Sequence, residues 1–196
     1  AHFSHNPEKI AFLTDSCADL SPKLRKNKSI FVVPLHVRCA DGEFRDGENI
    51  FAQDVYRRQQ QGEMPHTSLP DGGCVDAVLD KIAALGYEKV AAVHLSSGLS
   101  GTCNLVRIKA AERTGLDVRV FDSLSGSLGL GATVLQAWED VRAGMPWREL
   151  VEARIPRLIE NTFPFFSVDT LEYLQKGGRI GKVTATAGTL LPIKPI

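Results

Sequence analysis

The sequence predicts an α/β fold, a mainly parallel sheet flanked by helices on both faces. Three observations carry that expectation. Short apolar runs alternate with stretches of helical periodicity from about residue 10 to residue 160. The runs at 10–13 and 90–95 are almost wholly apolar, as strands covered on both faces are. The segments between such runs are long enough for helical crossovers, which parallel pairing requires.

Taken in order, Ile10-Ala11-Phe12-Leu13 reads as a buried strand ending in the turn Thr14-Asp15-Ser16. Ser21 caps a short helix with Pro22 at its first position, where a missing N–H costs nothing. Residues 30–37 read as one strand. Asp41-Gly42 reads as a hairpin turn that pairs Arg38-Cys39 with Phe44-Arg45. A helix covers 54–61, stopped by Gly62. Another runs from Pro70 to about Leu85, with Cys74, Val75, Val78, Leu79, Ile82 and Leu85 at helical spacing and Gly86 as its stop. A strand starts at Val90, a helix covers about 102–113, and 118–121 is a short strand ending in Asp122-Ser123. Helices follow at about 128–142 and 147–160.

Residues 7–160 thus form an N-terminal α/β domain. Past Glu160 the texture changes to the very apolar Phe163-Pro164-Phe165-Phe166-Ser167-Val168 and the glycine-rich Lys176-Gly177-Gly178-Arg179. Residues 161–196 read as the beginning of a C-terminal α/β domain that is apparently truncated at Pro195-Ile196.

Composition excludes several classes. The 23 acidic and 23 basic side chains balance, so no basic field attracts nucleic acid and no polybasic run marks a membrane surface. No apolar stretch approaches the ~20 residues of a membrane span. Cys17, Cys39, Cys74 and Cys103 form no C-x-x-C pair and read as free thiols of a reducing compartment, so a cytoplasmic protein is expected. Gly126-Ser127-Leu128-Gly129-Leu130-Gly131 reverses the dinucleotide fingerprint and reads as close helix packing. Gly177-Gly178-Arg179-Ile180-Gly181-Lys182-Val183 lacks the spacing and the hydroxyl of a P-loop. The carboxylates Asp15, Asp19, Asp122 and Asp169 lie at separate turns and read as caps. No metal cluster with histidine partners is evident, and no cofactor is expected. His94 reads as a satisfied core residue within a strand.

The chemistry concentrates in two Ser/Thr-rich turns, each expected to open a helix. One is Thr67-Ser68-Leu69-Pro70, with His66 adjoining it. The other is Ser96-Ser97-Gly98-Leu99-Ser100-Gly101-Thr102. A helix N-terminus offers unpaired N–H groups and partial positive charge, and added hydroxyls let it hold an anion without a lysine or arginine. One cap needs one hydroxyl, and these turns carry six. A neutral cup of this kind suits a carboxylate on an apolar tail. A serine esterase or acyltransferase using Ser97 or Ser100 is the alternative, although the G-x-S-x-G pattern fails at Thr102 and no histidine is placed as a base. A lipid-sensing domain is a further alternative.

Thr14-Asp15-Ser16-Cys17-Ala18-Asp19-Leu20, Pro65-His66-Thr67-Ser68-Leu69-Pro70, the Ser96–Thr102 segment and Phe121-Asp122-Ser123 follow one another in a set order. Val168-Asp169-Thr170-Leu171-Glu172-Tyr173-Leu174-Gln175-Lys176-Gly177-Gly178-Arg179-Ile180 follows them. In this order the motifs resemble the signatures of the DegV family, from about Ile10 to the last residue. The resemblance implies a bacterial fatty-acid-binding protein with no catalytic residues of its own. Such a protein is the binding subunit of a fatty acid kinase, and it presents a long-chain fatty acid to an ATP-binding kinase subunit that forms the acyl phosphate. By position, Thr67 and one of Ser96 or Ser97 would hold the carboxylate, supported by Ser68 and by backbone N–H groups near Gly98. Ser16 and His66 are secondary positions, as is Arg179, which would serve the developing phosphate charge or the docking of the kinase.

Overall fold

The structure is a computed structural model that describes residues 3–26 and 29–162. The strand expected at 163–168, Asp169, the 177–183 segment and Arg179 lie outside the described residues.

Four parallel strands make the main sheet, in the order β2-β1-β6-β7. They are β1 (Ile10–Asp15), β2 (Ile30–Val33), β6 (Lys89–His94) and β7 (Asp117–Asp122). All six residues of β1 are buried, which explains its unbroken apolar reading. Registers run Phe12 opposite Ile30, Leu13 opposite Ala92, and His94 opposite Asp122.

Helices cover both faces. On one, Ile10, Phe12, Ala91 and Val93 pack against Leu130, Val134, Ala137 and Val141 of α5 (Ser127–Arg142). The run 147–161 closes this side as α6 (Trp147–Glu149), a π-helical turn (Leu150–Arg154) and α7 (Ile155–Asn161). One helix was expected there, and the run is continuous apart from the wider turn in its middle. On the other face, Ala11, Leu13, Val90 and Ala92 meet Val75, Leu79 and Ile82 of α3 (Gly72–Ala84) and Val106 of α4 (Thr102–Ala111). Gly129 and Gly131 serve close packing, as expected of the 126–131 glycines. A Cβ on Gly131 would sit 2.5 Å from the Ala18 carbonyl oxygen, in the turn that follows β1.

The expected strand at 30–37 is two strands in two sheets. Pro34 has no N–H to continue a ladder, and the chain leaves the main sheet there. It resumes as β3 (His36–Cys39), the centre of an antiparallel sheet ordered β4-β3-β5. The hairpin with β4 (Gly42–Arg45) turns at Ala40-Asp41 rather than Asp41-Gly42, since Cys39 faces Gly42 and Arg38 faces Glu43. Gly42 is the first residue of β4, at φ 148°, a value that favours glycine.

A second correction concerns Thr67 and Ser68. They open no helix. They belong to β5 (His66–Ser68), an edge strand on β3 with Thr67 opposite Val37. The following helix starts later, at Gly72, because Asp71 caps it by accepting from the Gly73 N–H at 3.2 Å. Likewise α2 spans Ala52–Gln60, two residues earlier than expected, because Asp54 accepts from the Phe51 N–H at 2.9 Å. The other short helix, α1 (Pro22–Arg25), is capped by Ser21 as read. Among the described residues no helix is long and apolar enough to cross a membrane.

Candidate functional site

The order β2-β1-β6-β7 reverses direction beside β1, since the chain leaves β1 toward β2 and returns on β1's other side as β6. In open parallel sheets, ligands bind beyond the carboxyl ends of the strands at such a reversal. Here that crevice lies between the turn after Asp15 and the loop after His94.

Asp15 bridges the two. Its Oδ1 accepts from the Cys17 N–H at 3.0 Å, and its Oδ2 accepts from the Leu95 N–H at 2.9 Å. The same Oδ2 lies 3.0 Å from His94 Nδ1, and both side chains are fully buried. Asp15 is a cap and His94 a core residue, as read. What the sequence did not disclose is that they meet across 79 positions. Nor is His94 fully satisfied, because its buried Nε2 has no partner among the described residues.

The loop before α4 is wired to itself. Ser96 is buried, its N–H donates to the Ser125 carbonyl at 2.9 Å, and its Oγ accepts from the Gly98 N–H at 3.2 Å. The Ser96 carbonyl accepts from Leu99 and Ser100. Ser100 Oγ accepts from the Thr102 N–H at 3.2 Å and pairs with Thr102 Oγ1 at 2.8 Å. The Gly98 N–H expected to support a ligand is therefore already engaged. Ten-residue α4 opens on Gly101, which offers no side-chain cap, and the N–H of its first residue, Thr102, is taken by Ser100 Oγ.

Ser97 is exposed and tied to the end of β7. Its Oγ–H donates to Asp122 Oδ2 at 2.5 Å, and its N–H lies 3.3 Å from both carboxylate oxygens. Asp122 Oδ1 also accepts from the Leu124 N–H at 2.9 Å. Neither serine considered as a nucleophile is hydrogen-bonded to an imidazole: Ser97 donates to a carboxylate and Ser100 pairs with Thr102. Of the two serines weighed for the carboxylate, Ser97 has its proton committed. Among the described residues, Ser96 Oγ has no acceptor for its own.

His66, Thr67 and Ser68 are all exposed on β5. The chain leaving β5 passes directly over the start of α4. Leu69 Cδ2 lies 3.1 Å from the place a Gly101 Cβ would take. Thus the residue after β5 touches the start of the helix into which the Ser96–Thr102 loop leads, and of the two segments only that loop opens a helix.

Ser16 has structural employment. Its Oγ accepts from the Leu35 N–H at 3.0 Å and bonds Asp46, whose carboxyl burial pushes up. Burial, with Asp15 nearby, also pushes the Cys17 thiol up to about 11, and burial raises that of Cys103. All four cysteines are free. Cys39, Asp41 and Glu63 bring ligand atoms within 4.8 Å of one another. Arg58 already sits among them, 2.7 Å from Asp41 and 3.3 Å from Glu63, where a metal cation would be repelled. A cavity of about 400 Å³ between Phe12, Lys26, Trp138 and Arg142 opens at the opposite, amino-terminal edge of β1.

The family described as "Uncharacterised protein, DegV family" matches residues 9–196. A DegV domain-containing protein of Clostridium perfringens is 40% identical over 189 residues, which cover 96% of this chain and 66% of that protein. Among solved structures, a DegV family protein from Thermus thermophilus, described by its fatty acid binding, superposes with a TM-score of 0.79 at 35% identity. The match covers 94% of this chain and 65% of that one. DegV from Bacillus subtilis, described as a fatty acid binding protein, gives 0.79 at 28% identity, with 95% and 66% covered. The chain therefore spans just under two thirds of the length of these relatives.

Proposed function

The chain belongs to the DegV family, and from that premise we propose that it binds a long-chain fatty acid by its carboxylate and presents it to an ATP-binding kinase subunit. The observation that carries the reading is the contact of Leu69 with the start of α4. Leu69 directly follows the exposed Thr67 and Ser68 and touches the N-terminus of α4, the helix after β6 at the reversal of the parallel sheet, and hydroxyls with helix charge suit an anion there. The fatty acid binding of the Thermus and Bacillus relatives supports the choice of anion.

In this reading Thr67 and Ser96 hold the carboxylate. Thr67 is exposed, and among the described residues the Ser96 proton has no acceptor while Ser97 serves Asp122. Ser68 and His66 stand beside Thr67 on the same strand. The acyl chain supplies most of the affinity, about 0.8 kcal/mol per buried methylene. The carboxylate sets orientation and exposes the oxygen that the kinase phosphorylates. The chain itself carries no catalytic group in this scheme.

Native mass spectrometry of the full-length protein, followed by lipid extraction, tests the binding. A fatty acid near one per chain is expected. A protein that is empty as purified and takes up no added oleate overturns it. Presentation is tested with the ATP-binding partner: hydroxylamine should trap an acyl phosphate only when both proteins and ATP are present.

A further inference from the structure

The cavity at the amino-terminal edge of β1 belongs to neither Ser/Thr segment. It measures about 400 Å³, a volume within the range of small-molecule sites. It opens between the start of β1, the end of α5 and Lys26, which follows α1. Its floor is apolar, with Ile10 and Phe12 of β1 and Val141 of α5 buried there. Polar groups hold the walls. Trp138 Nε1–H donates to Ser29 Oγ at 2.9 Å, and Tyr87 bonds the same serine. On another side, Asn6 Oδ1 accepts from the Ile10 N–H at 3.0 Å and Asn6 Nδ2 donates to the Ile10 carbonyl at 2.8 Å.

The charge around this cavity is one-sided. Its ionisable groups are Lys26, Arg142, His5 and Tyr87, and among the described residues no carboxylate lines it. Neither Lys26 nor Arg142 pairs with a carboxylate among the described residues. Arg142 lies over the Trp138 ring instead, 4.9 Å from its centroid. Asp140, two residues before Arg142, is held by Arg154 at 2.6 Å. Acidic and basic side chains balance over the whole chain, so two cations at one cavity without an acid are a local arrangement. Arg142 stands in the last turn of α5, where a cation complements the helix carbonyls. That accounts for one cation. It does not account for Lys26, which a separate element brings to the same cavity.

Two cations suit a dianion. A phosphate monoester carries about −1.5 to −2 charges at neutral pH. A guanidinium fork matches its oxygens, and an ammonium adds a point charge. A monocarboxylate would leave one cation over, and a bare phosphate ion would leave the apolar floor uncovered. We propose that this cavity binds a small organic phosphate monoester, its phosphate between Lys26 and Arg142 and its organic part on Phe12 and Val141. The site stands apart from the carboxylate-binding edge and does not depend on that reading.

The test is NMR titration of the full-length protein with AMP, glycerol phosphate and inorganic phosphate, following the indole N–H signals of Trp138 and Trp147. Trp147 Nε1–H donates to Asp117 Oδ2 at 3.2 Å outside the cavity lining, and is the control. A saturable shift of the Trp138 signal is expected with at least one ester, at lower concentration than inorganic phosphate requires, while Trp147 stays in place. The tighter ester identifies the organic part as a flat base or a short polyol. Lys26→Ala and Arg142→Gln change exposed side chains and should each weaken binding roughly tenfold. Because Arg142 also covers the Trp138 ring, Lys26→Ala decides the matter if the other variant disturbs that signal or the fold. Three results overturn the inference: no saturable shift with any of the three at millimolar concentration, an affinity unchanged in Lys26→Ala, or equal affinity for inorganic phosphate and both esters.

Discussion

Between Leu95 and Thr102 the hydroxyls are engaged within the protein, whereas Thr67 and Ser68 stand exposed on a three-residue edge strand. The two segments look alike in sequence, and they meet at Leu69 and Gly101. One is a prearranged frame. Ser96 holds the turn, Ser100 and Thr102 start the helix, and Ser97 ties the loop to β7. The other is paired to β3 along one edge. The contrast teaches that a surplus of hydroxyls is not by itself a surplus of ligand donors. Most of the second group builds the loop, whereas Thr67 and Ser68 are exposed and, among the described residues, the Ser96 proton has no acceptor.

The comparison breaks most severely if the frame loses its anchor. Asp15→Ala leaves the Cys17 and Leu95 N–H groups and the His94 ring without their buried acceptor, and should cost about 3–5 kcal/mol. Urea denaturation of the full-length protein measures it, and a loss below about 1 kcal/mol would mean that the loop holds itself. Next in size is Gly131→Ala. Its Cβ would press on the Ala18 carbonyl oxygen, and since a backbone atom cannot swing aside, about 1–3 kcal/mol is expected in the same assay.

Thr67→Ala sharpens the contrast from the other side. Stability should stay within about 0.5 kcal/mol, while fatty acid affinity falls roughly tenfold, the worth of one hydrogen bond. Unchanged affinity by titration would remove β5 from the site. Ser97→Ala should do the reverse, costing about 1 kcal/mol of stability by releasing Asp122 and changing affinity less than Ser96→Ala does.

The smallest effect is on pH. The Cys17 thiol titrates in the folded protein at about 11, above its ordinary value. Its contribution is therefore fully present below that ordinary value and is lost as pH rises toward about 11. A modest fall in the urea midpoint over that range, absent in Cys17→Ala, is expected. So is slow alkylation of Cys17 at pH 8 that becomes fast on unfolding.

Much of the fold was legible because its signals are local. The apolar runs at 10–13 and 90–95, the helical spacing from Val75 to Ile82 and the caps at Ser21 all lie within a few residues of what they specify. A local pattern misleads where it fits two structures. Residues 30–37 are apolar on both sides of Pro34, and nothing in composition says that the second half joins another sheet. Thr67-Ser68 preceded a proline and a helical stretch, so it resembled a cap, but an exposed strand of three residues has no hydrophobic alternation to betray it. Asp71, the actual cap, is itself an N-cap residue type that the reading passed over.

By itself the sequence determined that this is a parallel α/β domain with polar turns at the strand ends, because burial and helix propensity act over short spans. Only the tertiary structure decided which of those turns meet. Asp15 finds His94 across 79 positions, and Ser97 finds Asp122 across 25. Both pairings follow from strand order, with β6 placed between β1 and β7. That order is set by how all the helices and strands pack at once, so no single segment of the chain encodes it.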